Sequence, residues 1–203
     1  MEEKITNHTL RILGLYRSDY TRRLHLRAMA KLLGTGHGTL LPHLRRLEED
    51  KILIGVRAGK NKEYSLNLNN ILARDYIALA EKFEAIRCLA GNFTIKKLME
   101  ELSRLGLEGA VVLFGSYAKD YATEASDIDL FYLGKLQEDK VEAIRKFGKI
   151  YGKEIDVKQS TVEHFKDGLI AGDALVKEVI GGHIVLQNSD PFVNVLWRHY
   201  LGR

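Results

Sequence analysis

The chain has 203 residues, 45% of them apolar and 29% charged, with two prolines and one cysteine. This size and composition fit one large folded domain or two small ones and exclude a disordered chain. No apolar run reaches the roughly 20 residues that span a bilayer, and the opening MEEKITNHTL lacks a leader's charged start and apolar core, so a cytoplasmic protein without membrane contact is expected. The net charge of +4 is unevenly divided: residues 1–69 hold 13 Lys/Arg against 7 Asp/Glu, and residues 70–203 hold 18 against 20. The two halves are therefore expected to meet different partners.

A first helix is expected over residues 6–16. In LHLRAMAKLLG, Leu26, Met29, Ala30 and Leu33 share one helical face, and Gly34 supplies a stop. In TLLPHLRRLEEDK, Leu40, Leu44 and Leu47 recur along one side. Thr39 as N-cap would make Pro42 the third helical residue, where no intrahelical N–H bond is lost. The segment ILIGVRAGKNKEYSLN then offers two strands, 52–57 and 63–66, around a turn at 58–62. Helix, helix and hairpin is the order of a winged helix-turn-helix. An amphipathic helix over 70–90, with Ile71, Tyr76, Leu79 and Phe83 among its apolar positions, leads onward, and Gly91-Asn92 breaks it. Cys88, within it, reads as a small buried residue and not as a reactive thiol.

Next come a helix over 93–105, a fully buried strand AVVLF at 110–114, strands at 127–133 and 154–159 with a helix at 139–151 between them, and a mainly helical remainder with a last strand at 183–186. The chain thus reads as α+β: a winged helix-turn-helix over 1–69, a linker helix over 70–91, and a small mixed-sheet α/β domain over 92–203, its sheet covered on one face. His183, Trp197, His199 and the tyrosines show no metal or cofactor spacing and read as structural.

Two carboxylates interrupt an otherwise apolar strand in LFGSYAKDYATEASDIDLFYLG. Alternation puts Asp127 and Asp129 on one face while Ile128 and Leu130 enter the core. Like charges this close are costly unless a cation lies between them. Mg²⁺ meets that need with one or two carboxylates plus substrate phosphates. Upstream, Gly115 lets a phosphate approach the backbone, and Ser116 offers a hydroxyl and a free N–H if a helix begins at Tyr117. Lys119 adds positive charge. A third acid comes from KEIDVKQ, where Ile155 and Val157 face inward and Glu154, Asp156 and Lys158 face the other way. Asp156, mid-strand, is the favoured one.

Gly115-Ser116, Ser126-Asp127-Ile128-Asp129-Leu130 and Ile155-Asp156-Val157 together resemble the nucleotidyltransferase superfamily of DNA polymerase beta, and within it the minimal nucleotidyltransferases, over about residues 93–186. The resemblance implies a three-carboxylate site holding Mg²⁺ or Mn²⁺ and transfer of a nucleoside monophosphate from a triphosphate such as ATP to an acceptor hydroxyl. Asp127 and Asp129 would bridge two metals, Asp156 would hold the one that activates the acceptor, and Gly115 and Ser116 would bind the β,γ-phosphates. Many relatives carry glycine where this chain has Asp120, and an acid there would repel the triphosphate. Minimal nucleotidyltransferases often act beside a small helical protein in toxin–antitoxin pairs, which leaves room for such a partner and for a non-catalytic, nucleotide-sensing role.

LHLRAMAKLLG, TLLPHLRRLEEDKIL and RAGKNKEYSLN resemble winged helix-turn-helix regulators of the arsenic-repressor type, over about residues 8–68. The resemblance implies duplex DNA as partner, read by the second of these helices and the wing, and a homodimer. Arg45, Arg46, Arg57, Lys60 and Lys62 would contact phosphates. Gly38, Leu41 and Pro42 occupy places where relatives carry polar base-readers, which leaves His37, Thr39 and His43 for the remaining contacts.

Overall fold

The structure, a computed structural model, describes residues 5–202; residues 1–4, where the leader reading begins, and residue 203 lie outside that range. The fold divides into two units, residues 1–80 with 200–203, and residues 81–199.

In the first unit, α1 (Asn7–Gly14) starts at an N-cap Thr6 whose side chain accepts from the Thr9 N–H. A two-residue strand β1 (Leu24–His25) leads into α2 (Leu26–Leu33), which buries Met29 and Ala30 and ends at Gly34 in the left-handed conformation. Helix α3 (His37–Glu49) follows, then β2 (Leu53–Ala58) and β3 (Asn61–Leu66), in the order β1-β3-β2. Ile12, Leu13, Tyr16, Leu40, Leu44 and Ile52 are fully buried, and the Tyr16 hydroxyl donates to the Tyr64 carbonyl at 2.8 Å.

Three details differ from the sequence reading. Helix α3 begins at His37 with Gly36 as N-cap, so Pro42 sits inside it as its sixth residue and the Gly38 carbonyl loses its usual donor. Both residues are exposed, which leaves that carbonyl open to solvent, and the earlier start brings Leu40 into the core. The hairpin turn is two residues, not five: Ala58 pairs with Asn61, and Gly59 at φ +60° takes the first turn position, where a type II′ turn demands glycine. Finally, Leu24 pairs with Tyr64 in a third strand too short to carry a period.

Helix α4 (Ile71–Gly91) runs through the division at residues 80/81. Its buried side is not the predicted one. Ala73, Ile77, Ala80 and Ala85 are buried while Ile71 and Leu79 are exposed.

The second unit holds the end of α4, then α5 (Phe93–Arg104), capped by Asn92, β4 (Ala110–Phe114), a short α6 (Gly115–Ala118) and β5 (Ile128–Leu133). It continues with α7 (Glu138–Ile150), β6 (Ile155–Ser160), α8 (Val162–Ala171), α9 (Ala174–Gly181), β7 (Ile184–Gln187) and α10 (Ser189–Leu201). The sheet order is β6-β5-β4-β7, with β5 and β6 parallel and the other pairs antiparallel. Both faces are covered, where one was expected. Ile128, Leu130 and Ile155 pack with Ile95, Leu98 and Phe147 on one side, while Phe131 meets Phe165, and Phe165 meets Phe192, on the other. All five residues of β4 are consequently buried. His183 is buried as well, its Nε2 3.0 Å from Glu81 Oε1. Among the described residues no helix is long and apolar enough to cross a membrane.

Candidate active site

Strand register brings two of the three acids together. Asp129 of β5 lies directly opposite Asp156 of parallel β6, and antiparallel β4 puts Phe114 opposite Asp129 on the other side. The residue after Phe114 is Gly115. Its backbone has φ +66°, and a Cβ there would collide with the Asp129 carboxylate. Only glycine meets both demands without strain. Gly115 opens α6 two residues earlier than the Tyr117 start expected, so the Ser116 N–H lies in a first turn with no intrahelical acceptor. Lys119 is exposed, its stem lying close to Gly182.

Asp129 is half-buried. That burial, reinforced by Asp156, Glu178 and Asp127 in descending order, pushes its carboxyl above the usual carboxylate range against the pull of Lys158. Asp127 precedes β5 and is exposed. Asp156 pairs with Lys158 at 2.9 Å. Among the described residues no three His, Cys, Asp or Glu side chains are grouped to hold a metal ion. The chemistry of the donors nonetheless fits a hard divalent cation: oxygen ligands, with a central carboxyl whose raised pKa nearby positive charge would lower.

Glu178 of α9 escaped the sequence reading. It reaches the acids only because α9 packs on the sheet, a tertiary contact with no local signal. Asp120 sits in the left-handed region at φ +57°, a conformation that favours glycine. It lines a separate cavity of about 220 Å³ with Glu84, Arg87, Cys88 and Tyr117, and its charge is felt at Cys88.

In the first unit, His37, Thr39 and Arg45 are exposed on α3 and Arg46 is half-buried. His43 turns toward α1. Its Nδ1 is 3.3 Å from Thr6 Oγ1, and burial together with His8 lowers its pKa. Arg57 and Lys60 are exposed near the hairpin tip, whereas Lys62 pairs with Glu48 at 2.6 Å and lies over the Tyr64 ring.

The family model described as nucleotidyltransferase domain matches residues 95–181, a segment that holds Gly115, Ser116, Asp127, Asp129 and Asp156. Nucleotidyl transfer, generally with divalent metal ions, is the activity of that family. Neither a curated protein nor a solved structure matches the chain.

Proposed function

We propose that the chain is a Mg²⁺-dependent nucleotidyltransferase, transferring a nucleoside monophosphate from a nucleoside triphosphate to an acceptor hydroxyl, tethered to a DNA-binding winged helix. The observation that carries the catalytic half is the register of Asp129 with Asp156, together with Gly115 pressed against the Asp129 carboxylate. Asp127, Asp129 and Asp156 would hold the divalent cation, Mg²⁺ or Mn²⁺, which supplies charge neutralisation for the triphosphate and acidifies the acceptor hydroxyl. Gly115 leaves room for the β,γ-phosphates. The Ser116 N–H and hydroxyl and the Lys119 ammonium bind and orient them. Asp129→Asn is the test: Mg²⁺-dependent pyrophosphate release falls at least a hundredfold while the circular dichroism spectrum stays native. Retained release rejects the assignment.

The Asp156–Lys158 ion pair favours a second reading, a DNA-binding regulator in which this domain senses a nucleotide without catalysis. Calorimetric titration with each triphosphate and Mg²⁺ separates the two, since binding without pyrophosphate release supports the sensor.

Three helices followed by an antiparallel hairpin, with basic residues exposed on α3 and at the hairpin tip, support duplex DNA as partner of the first unit. Arg45, Arg57 and Lys60 face solvent, and His37 and Thr39 flank them on α3, whereas His43 is held by α1. Leu72, Leu79 and Ile86 are exposed at seven-residue intervals along α4, the spacing of a coiled-coil seam. That exposed apolar stripe supports a homodimer.

A further inference from the structure

Strand register fixes Asp129 against Asp156, but Asp127 stands ahead of β5, at the end of the loop over 119–127 that joins α6 to β5. The Ile128 N–H, donating to the Glu154 carbonyl at 2.9 Å, anchors only the far end of that loop. At the near end the Tyr121 N–H donates to the Ser116 carbonyl at 3.2 Å. Between these points the loop bonds to itself: the Thr123 N–H donates to Ser126 Oγ at 2.8 Å, and the Ser126 N–H returns to the Thr123 carbonyl at 3.1 Å. Ala122 packs against the core, but residues 123–125 and 127 are exposed.

One side chain reaches in from outside. Lys153, between α7 and β6, donates from Nζ to the Glu124 carbonyl, and the same ammonium lies 5.7 Å over the Tyr117 ring of α6. Among the described residues no other side chain from outside the loop hydrogen-bonds to it. The chain builds a fixed base for this contact. Helix α7 ends with Gly152 at φ +63°, and the Lys153 N–H donates back to the Gly148 carbonyl at 2.8 Å, the closure of a Schellman cap. A Cβ on Gly148 would lie 2.5 Å from the Lys153 carbonyl, so glycine is what lets α7 approach this closely. Lys153 is half-buried, its charge met by a carbonyl oxygen and by the negative face of an aromatic ring.

We propose that Lys153 is a positioning residue, which ties the 119–127 loop to α6 and so keeps Asp127 in reach of the cation held by Asp129 and Asp156; the proposal rests on the transferase reading above. Register alone places two of the three acids, and the lysine supplies the tie for the third. It joins the loop of Asp127 to the helix that opens with Gly115 and Ser116, so one ammonium sets the spacing between metal ligand and phosphate cradle. A loop released by about 1 Å at such a centre lowers rates about a hundredfold.

The test uses the full chain and three variants. Lys153→Met keeps an unbranched stem without the charge, Lys153→Arg can both donate to the carbonyl and stack on the ring, and Glu124→Ala keeps the main-chain acceptor. Without metal or nucleotide, hydrogen exchange at the Tyr121, Thr123 and Ser126 amides is expected to run at least tenfold faster in Lys153→Met, with the amides of β4 and β5 unchanged. Mn²⁺ affinity, titrated by electron paramagnetic resonance with a non-hydrolysable triphosphate analogue present, weakens at least tenfold in the same variant, and kcat for pyrophosphate release falls at least tenfold. Lys153→Arg restores all three to within threefold of the wild type, and Glu124→Ala leaves them there. Unchanged loop exchange or Mn²⁺ affinity in Lys153→Met, an equal loss in Lys153→Arg, or faster exchange spread evenly through β4 and β5 overturns the proposal. A wild-type chain that binds no Mn²⁺ with the analogue removes the transferase reading and this inference together, whereas wild-type binding that Lys153→Met retains removes only this inference.

Discussion

Gly115 carries two constraints that a methyl group would violate, the left-handed backbone and the Asp129 carboxylate beside it. Gly115→Ala therefore costs about 1–2 kcal/mol in backbone strain and displaces Asp129. A displacement on the order of 1 Å at a reacting centre lowers rates about a hundredfold. Thermal melting and pyrophosphate release measure the two effects separately. Asp129 itself makes a pH statement. Its folded pKa is raised, so protonation favours the fold, and the carboxyl's contribution, fully present below the ordinary Asp range near about pH 4, is lost as pH rises through the raised value. Asp129→Asn is accordingly expected to melt higher than the wild type at pH 7 without divalent cation, with the difference vanishing below that range. Mg²⁺ should raise the wild-type midpoint and leave the variant's unchanged. At Asp120, replacement by glycine relieves the left-handed backbone and is expected to leave turnover within twofold. A large gain would mean that its charge does reach the triphosphate.

Among the elements, α3 holds the clearest strain. Restoring an N–H to the Gly38 carbonyl by Pro42→Ala should stabilise the protein by on the order of 1–3 kcal/mol, read as a higher denaturant midpoint. Along α4, Leu79→Lys is expected to convert a dimer to a monomer in sedimentation. A wild-type chain that is already monomeric yet binds a helical protein through this face would assign the stripe to that partner instead. What could be read in advance follows the same physics. AVVLF and IDLFYL showed their strands because buried β-rich runs are self-announcing, and Gly34 ended α2 because left-handed caps favour glycine. The site was legible in part, since Gly115 and the three acids lie on short motifs. Glu178, the Asp156–Lys158 pair and the inward turn of His43 were not, since each depends on a neighbour distant in sequence or on a rotamer. The start of α3 was misread because an exposed proline obeys solvent access as well as helix position. The face of α4 was misread because three of its buried positions are alanines, which carry little hydrophobic signal.

At the scale of the molecule, the basic excess of residues 1–69 and the mildly acidic balance of 70–203 predict that duplex binding resides in the first unit and falls steeply with salt. Arg57→Ala and Lys60→Ala should each reduce the slope of log affinity against log salt by about 1, measured by gel shift or fluorescence anisotropy, with triphosphate binding unaltered. The sequence also contains a single sulfhydryl. Burial, then the charges of Asp120 and Glu84, push the Cys88 thiol up to about 11, so at neutral pH it resists alkylation. Whatever loosens the end of α4 returns that group to ordinary reactivity. Iodoacetamide incorporation into the wild-type protein is thus a built-in clock, able to time local opening in the presence or absence of nucleotide without any engineered label.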